Sequence, residues 1–235
     1  MDKPLLTEQR TLIRKLAMDV PFIYITRGQM PEDFEIKRKA WHRSKHAPDA
    51  VGLGFLSARA YSGEAFPQNC NVYEIADLDL FEDPGYMAMR KADTFIPTVM
   101  DKFSYHSATF YKQAVVLDAH GSTLSDVPTL SGRSLSLLYL DFSDERSPTE
   151  WFRNSISALD KVSVRTFRMW ERTRQHPLEP PKESRWCAAI EWTVANPGDA
   201  LRLEDAASKA PGVKVVRSEI VVKWYGLLQE SAFEG

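Results

Sequence analysis

The feature that most constrains this chain is an order of short segments that occurs twice, about 110 positions apart. Phe22-Ile23-Tyr24-Ile25-Thr26 is echoed by Leu137-Leu138-Tyr139-Leu140-Asp141 when Tyr24 is set against Tyr139. Ser57-Ala58-Arg59-Ala60-Tyr61 is echoed by Ser163-Val164-Arg165-Thr166-Phe167, and Cys70-Asn71-Val72-Tyr73-Glu74 by Cys187-Ala188-Ala189-Ile190-Glu191. Phe110-Tyr111-Lys112 sits where Val221-Val222-Lys223 sits. Such residues suit a pleated, half-buried surface, so each segment reads as a strand. Four echoes in one order indicate a duplicated unit.

Helices fill the gaps. Pro31-Glu32-Asp33 opens one with a proline and acids in its first turn, which suits the helix dipole. It carries Phe34, Ile36, Ala40 and Trp41 on helical spacing and is predicted to end near Ala47-Pro48, because a residue preceding proline avoids the α region. Asp83-Pro84-Gly85 starts a second, continuing or restarting to Met100; Ser147-Pro148-Thr149-Glu150 caps a third through Trp151, Ile156 and Leu159. A last helix spans Leu201 to Lys209 and is stopped by Ala210-Pro211-Gly212. Each half reads β-α-β-β-α-β, the ferredoxin-like split unit. The fold class is therefore α+β: two tandem ferredoxin-like units whose antiparallel sheets, each bare on one face, pack together into an α/β barrel. Residues 1–19 are read as an N-terminal helical extension, 20–120 as the first unit, 121–133 as a Gly/Ser/Thr-rich linker and 134–235 as the second unit.

The chain has 235 residues, 43% hydrophobic and 26% charged, enough for a sizeable core. With a net charge of -2 and no basic run it offers no nucleic-acid surface. No apolar run reaches the ~18 residues that span a bilayer, and no secretory leader is present, so a cytoplasmic location is expected. In that setting Cys70 and Cys187 are expected to be free thiols.

The chemistry concentrates in Trp41-His42-Arg43-Ser44-Lys45-His46-Ala47-Pro48, followed by Gly54-Phe55. His46 at a helix end gains a dipole that favours its cation, while cavity burial would favour the neutral ring; either state suits a general acid or base. His42 and His46 share the i, i+4 spacing used by metal sites, but no third ligand lies nearby in the chain, so no metal is assigned. Tyr24 and Tyr73 fall on neighbouring strands, as oxyanion donors or as core residues that each find one partner. Arg59 is either half of an ion pair with Glu74 or a clamp for a substrate carboxylate, and the recurring Arg165 and Glu191 carry the same ambiguity. His106 stands either at a cavity mouth or in an exposed loop. The Pro-rich stretch from Glu171 to Glu183 is a lid or a plain connection.

The Trp41–Pro48 run with its glycine-led second strand resembles the dimeric α/β-barrel superfamily, and within it the branch named for ethyl tert-butyl ether degradation, the EthD-like proteins. That branch carries an aromatic pair, three residues, then His-Gly-Pro or His-Ala-Pro at the end of the first helix. This chain departs from the pattern where His42 replaces the second aromatic, and where the copy at Trp151-Phe152-Arg153-Asn154-Ser155-Ile156 has no histidine. The resemblance implies one catalytic cavity, in the first half. It implies a cofactor-free enzyme acting on a small aromatic or lactone-like substrate as an isomerase, lyase or cyclase, as a monomer or homodimer. His46, Tyr24 and Tyr73 would be catalytic, with Trp41, His42, Phe22, Phe55, Arg59 and His106 around the substrate. Two alternatives stay open: a haem-binding peroxidase-like protein, since tandem chains of this architecture include haem families, and a non-catalytic small-molecule binder.

Overall fold

A computed structural model describes residues 22–143, 147–157, 159, 164–174, 183–194 and 197–228. The expected N-terminal helix and residues 175–182 of the Pro-rich stretch lie outside the described residues. Eight strands form one closed antiparallel barrel in the order β1-β3-β2-β8-β5-β7-β6-β4. They are β1 (Phe22–Gln29), β2 (Ser57–Gly63), β3 (Asn69–Ile75), β4 (Tyr105–Asp118), β5 (Ser134–Phe142), β6 (Val164–Arg172), β7 (Trp186–Trp192) and β8 (Val213–Leu228). Each half contributes four adjacent strands, and the halves join edge to edge at β2–β8 and β4–β6. Both seams carry a bulge, at Ala60/Tyr61 and Gln113/Val115, which bends strands around a barrel. Closure leaves no open edge.

The helices are α1 (Glu32–Trp41), α2 (Ala47–Gly52), α3 (Pro84–Ala92), α4 (Phe95–Met100), α5 (Pro148–Ile156) and α6 (Pro197–Lys209). Between α1 and α2 the chain stays helical through a π-helical turn, His42–His46. The predicted end at Ala47-Pro48 is thus corrected: Pro48 sits in the first turn of α2, where its missing N–H costs nothing, and the wider turn lets the Ala47 N–H reach the His42 carbonyl. The chain leaves α2 through Gly54, whose φ of 113° only glycine adopts readily. The helix that opens at Asp83 restarts rather than continues, breaking at Asp93-Thr94 before α4.

Strand alternation sorts the core into three layers. Ile23, Ile25, Val72, Tyr111, Leu135, Leu137, Trp170 and Val221 fill the barrel interior. Tyr24, Ala58, Tyr73, Phe81 and Phe110 face the first half's helices, and Phe152, Phe167, Ile190, Trp192 and Leu203 form the matching layer in the second.

The ladders also correct the register of the repeat. Ser57 and Ile23 lie opposite Glu74, as Thr166 and Leu135 lie opposite Glu191. Leu135 is therefore the counterpart of Ile23, Ser136 of Tyr24, and Tyr139 of Arg27. Arg59 corresponds to Arg168, not to the exposed Arg165, and Tyr111 rather than Phe110 corresponds to Val221. The match of Cys70–Glu74 with Cys187–Glu191 is in register, whereas the other three are slipped by three residues or one. An odd slip puts a side chain on the opposite face of its strand.

Inside the barrel the two halves repeat one device. Glu74 accepts from Ser57 Oγ (2.5 Å) and from Arg59; Glu191 accepts from Thr166 Oγ1 (2.6 Å) and from Arg168 Nη2 (3.3 Å). The connection between β4 and β5 runs past both carboxylates: the Leu130 N–H donates to Glu74 (2.7 Å), and those of Ser131 and Gly132 donate to Glu191 (2.5 and 2.6 Å). Burial works against the charge on Glu191, but Arg168, Thr166 and these amides hold its pKa below the usual carboxylate value. A Cβ at Gly132 would come within 2.6 Å of Glu191 Cγ, so this close passage requires glycine. Cys70 and Cys187 are buried free thiols.

Candidate functional site

The first half keeps a cavity between its sheet and its helices. It offers about 80 Å³ to the centre of a water molecule. On the sheet side Tyr24 and Thr26 of β1 and Asn71 and Tyr73 of β3 point into it, because alternation puts them on the outer face. Arg38, Trp41, His42 and His46 come from α1 and the π-turn, Tyr86 and Arg90 from α3, Ile96, Val99 and Met100 from α4, and Phe55, Phe103 and His106 complete the lining.

The π-turn brings both histidines to one place, their ring centroids 5.6 Å apart. His42 is buried, and its Nε2 is hydrogen-bonded to Tyr73 Oη at 3.1 Å, the direction being set by the imidazole tautomer. His46 is half-buried and stacks on Trp41 at 4.5 Å. Neither Nδ1 atom has a hydrogen-bonding partner. Burial, with the neighbouring His46 and Arg38, pushes the His42 pKa well below the usual histidine value. Burial and the positive charge of Arg90 push His46 down to about 4. Both rings are therefore neutral at neutral pH, which resolves the conflict between dipole and burial in favour of burial. The Tyr73 hydroxyl is raised above its ordinary value by burial and stays protonated, able to donate.

The surroundings hold these groups in place. The Tyr24 ring stacks on Tyr73 at 5.5 Å. Asp93, buried at the break between α3 and α4, accepts from Trp41 Nε1 (2.9 Å) and from the Phe95 N–H (3.0 Å), tying α4 to the ring stacked on His46. Asn71 Nδ2 donates to Thr26 Oγ1 (3.0 Å) and leaves its Oδ1 buried without a partner. Arg38 forks onto Glu35 with two 2.8 Å bonds. Trp224 and Tyr225 of β8 place their rings 5.9 and 6.0 Å from His42, so the second half buttresses the site.

Of the residues singled out from sequence, Tyr24, Trp41, His42, His46, Phe55, Tyr73 and His106 line this cavity. His106 lies within β4 opposite Gly28 and packs on Phe103 at 4.8 Å, rather than in a loop. Two are not brought to the cavity. Arg59 points into the barrel and pairs with Glu74, on the opposite face of the sheet, so the substrate-clamp reading is withdrawn. Phe22 packs against the apolar layer beside the site without lining it. Thr26, Arg38, Asn71, Tyr86 and Arg90 were missed, although Thr26 and Asn71 follow from the alternation that selected Tyr24 and Tyr73, and Arg38 is one turn before His42. Among the described residues no group of three or more His, Cys, Asp or Glu side chains is placed to hold a metal.

In the second half most of the same positions are apolar. Phe152 and Ile156, both buried, stand where His42 and His46 stand when Trp151 is set against Trp41. Ile190 replaces Tyr73, Leu138 replaces Thr26 and Ala188 replaces Asn71. Ser136, the counterpart of Tyr24, accepts from Trp192 Nε1 at 2.8 Å.

No family model and no curated protein sequence matches the chain. Its fold is similar to that of a solved anthrone oxidase-like protein, at TM-score 0.58 and 13% identity over 91% of this chain and 95% of that one. It is also similar to a provisionally assigned chlorite dismutase (TM-score 0.54, 10% identity, 88% and 96% covered) and a provisionally assigned monooxygenase from Lactobacillus acidophilus (0.51, 12%, 90% and 97%). The chain thus shares with these structures the fold of a closed antiparallel α+β barrel, built here within one chain. No helix among the described residues is long and apolar enough to cross a membrane.

Proposed function

We propose that the chain is a small-molecule enzyme of the EthD-like kind that transfers a proton on a small aromatic or lactone-like substrate by histidine acid–base chemistry, with isomerisation, elimination or cyclisation as the outcome. One observation carries this reading: a partly enclosed cavity brings two imidazoles together, one of them hydrogen-bonded to the Tyr73 hydroxyl. In this reading His46 takes a proton from a carbon next to the substrate's oxygen function. Tyr73, oriented by His42 and backed by Tyr24, donates a hydrogen bond to that oxygen as negative charge gathers on it. Trp41 and Phe55 supply apolar walls that keep water from competing. The imidazolium then returns the proton to another atom of the substrate or to a leaving group.

The cavity beside the histidines does not fit a haem. About 80 Å³ between Trp41, Phe55, Tyr86 and the histidines is well short of the roughly 300 Å³ at which pockets for drug-sized ligands begin, and a porphyrin is larger than such a ligand.

Proton abstraction is measurable without knowing the physiological reaction, as deuterium uptake from D2O into a panel of enolisable single-ring lactones and phenols, followed by NMR. The wild type should accelerate uptake in at least one of them. His46→Gln should slow it by roughly 10²–10⁴-fold and Tyr73→Phe by roughly 10²–10³-fold. Equal rates for His46→Gln and wild type would remove the assignment.

A further inference from the structure

We propose that Trp224, on β8 of the second half, is a positioning residue for the site. Its indole N–H donates to His42 Nδ1 and fixes that imidazole in its Nε2–H tautomer. The Tyr73 proton is then left for a ligand in the cavity. This rests on the reading of Tyr73 as the donor to the substrate's oxygen, and it names what gives Tyr73 that role.

The 3.1 Å contact between His42 Nε2 and Tyr73 Oη has two forms. A neutral imidazole carries one N–H. With the proton on Nδ1, Nε2 accepts from Tyr73 and takes the only proton the phenol has, so a ligand oxygen meets a lone pair. With the proton on Nε2, the imidazole donates to Tyr73 Oη, and the phenol proton turns to the cavity that Tyr73 lines. What decides between them is the hydrogen bond made by the other ring nitrogen.

That nitrogen, Nδ1, is buried without a hydrogen-bonding partner among the described residues, and so is Trp224 Nε1. The two rings meet edge to face, 5.9 Å between centroids at an interplanar angle of 62°. The Arg38 guanidinium and the Lys39 ammonium lie over the indole, 5.9 and 5.4 Å from its centroid, and hold it beside His42. An indole N–H only donates. A proton on Nδ1 would therefore set two buried donors side by side, each without an acceptor, which is costly. The Nε2–H tautomer offers a lone pair instead, and a small turn of the indole closes the bond. His46 Nδ1 is unpartnered too, but its ring lines the cavity and can be met from there, whereas Trp224 is not part of the lining.

The test is the tautomer of His42, read at neutral pH without ligand from long-range proton–nitrogen correlation spectra of nitrogen-15-labelled protein and assigned with His42→Gln. In the wild type the Nε2–H form should outweigh the Nδ1–H form by about tenfold or more, the ratio set by one buried donor satisfied rather than orphaned. Trp224→Phe keeps an aromatic ring under Arg38 and Lys39 but has no N–H, and should bring the two forms to within about twofold. Tyr73→Phe leaves the Trp224 bond in place and should keep the Nε2–H form dominant. A wild-type His42 in the Nδ1–H form would overturn the proposal and make His46 the partner. An Nε2–H form undiminished in folded Trp224→Phe, or lost in Tyr73→Phe, would overturn it as well. None of these spectra involves turnover, so they are independent of the deuterium-uptake rates: the acid–base reading fails if His46→Gln exchanges like wild type, whatever the tautomer of His42.

Discussion

Tyr73 and Arg59 show how much a single position owes to the face of its strand. Both were singled out from sequence; Tyr73 reaches the cavity and Arg59 is turned into the barrel, because residues on alternate positions of a strand point to opposite sides. His46 was legible from its motif, but its charge state was not. That state depends on burial and on Arg90, contributed by a helix some forty positions away. It has a consequence for stability. A histidine whose folded pKa lies below its unfolded value of about 6.5 binds fewer protons when folded, so stability falls as pH drops from about 6.5 toward 4. His46→Gln should therefore lose less stability than wild type between pH 7 and about 4.5, read from urea midpoints at the two pH values. Parallel losses in the two proteins would show that His46 titrates normally.

At the scale of elements, the starts of α1, α3 and α5 were readable, whereas α6 begins at Pro197 rather than Leu201, α5 ends at Ile156 rather than Leu159, and the end expected at Ala47-Pro48 is overrun. Pro31 with its acids marked the start of α1, and Ser147 caps α5 as expected, accepting from the Glu150 N–H at 3.3 Å. The proline at position 48 misled, since a π-turn absorbs it and that turn is what gathers His42 and His46. Such turns recur at functional sites and leave no simple periodic signal. The break between α3 and α4 has a visible cause in Asp93, which caps α4 and binds Trp41. Asp93→Ala removes a cap worth about 1 kcal/mol and orphans a buried indole N–H at a cost of about 1–3 kcal/mol. The urea midpoint should fall with an unchanged slope, and the Trp41 indole proton should lose protection from exchange. An unchanged midpoint would mean that α4 is held by other contacts.

Across the whole molecule, the duplicated order of segments carried the architecture, because strand order and alternation survive in two diverged copies. Its register was legible only where Cys70–Glu74 matches Cys187–Glu191, since matching tyrosines and arginines by letter ignores which face each occupies. The matched carboxylates Glu74 and Glu191, both gripped by the connection between the halves, are the reference points that set it. Removing one partner from such a buried pair is costly, so Arg168→Ala should destabilise the fold by about 3–5 kcal/mol in equilibrium unfolding. A change below about 1 kcal/mol would show that the linker amides suffice. The copies then divide the work: Phe152 and Ile156 fill in the second half the place that His42 and His46 keep open in the first. The central claim is that this open place holds its histidines neutral. NMR titration of the imidazole Cε1–H signals, assigned with His42→Gln and His46→Gln, tests it most directly. Neither ring should protonate between about pH 8 and about pH 5.5, and His46 should show a midpoint at about 4. Midpoints near the ordinary value of about 6.5 for both rings would contradict it.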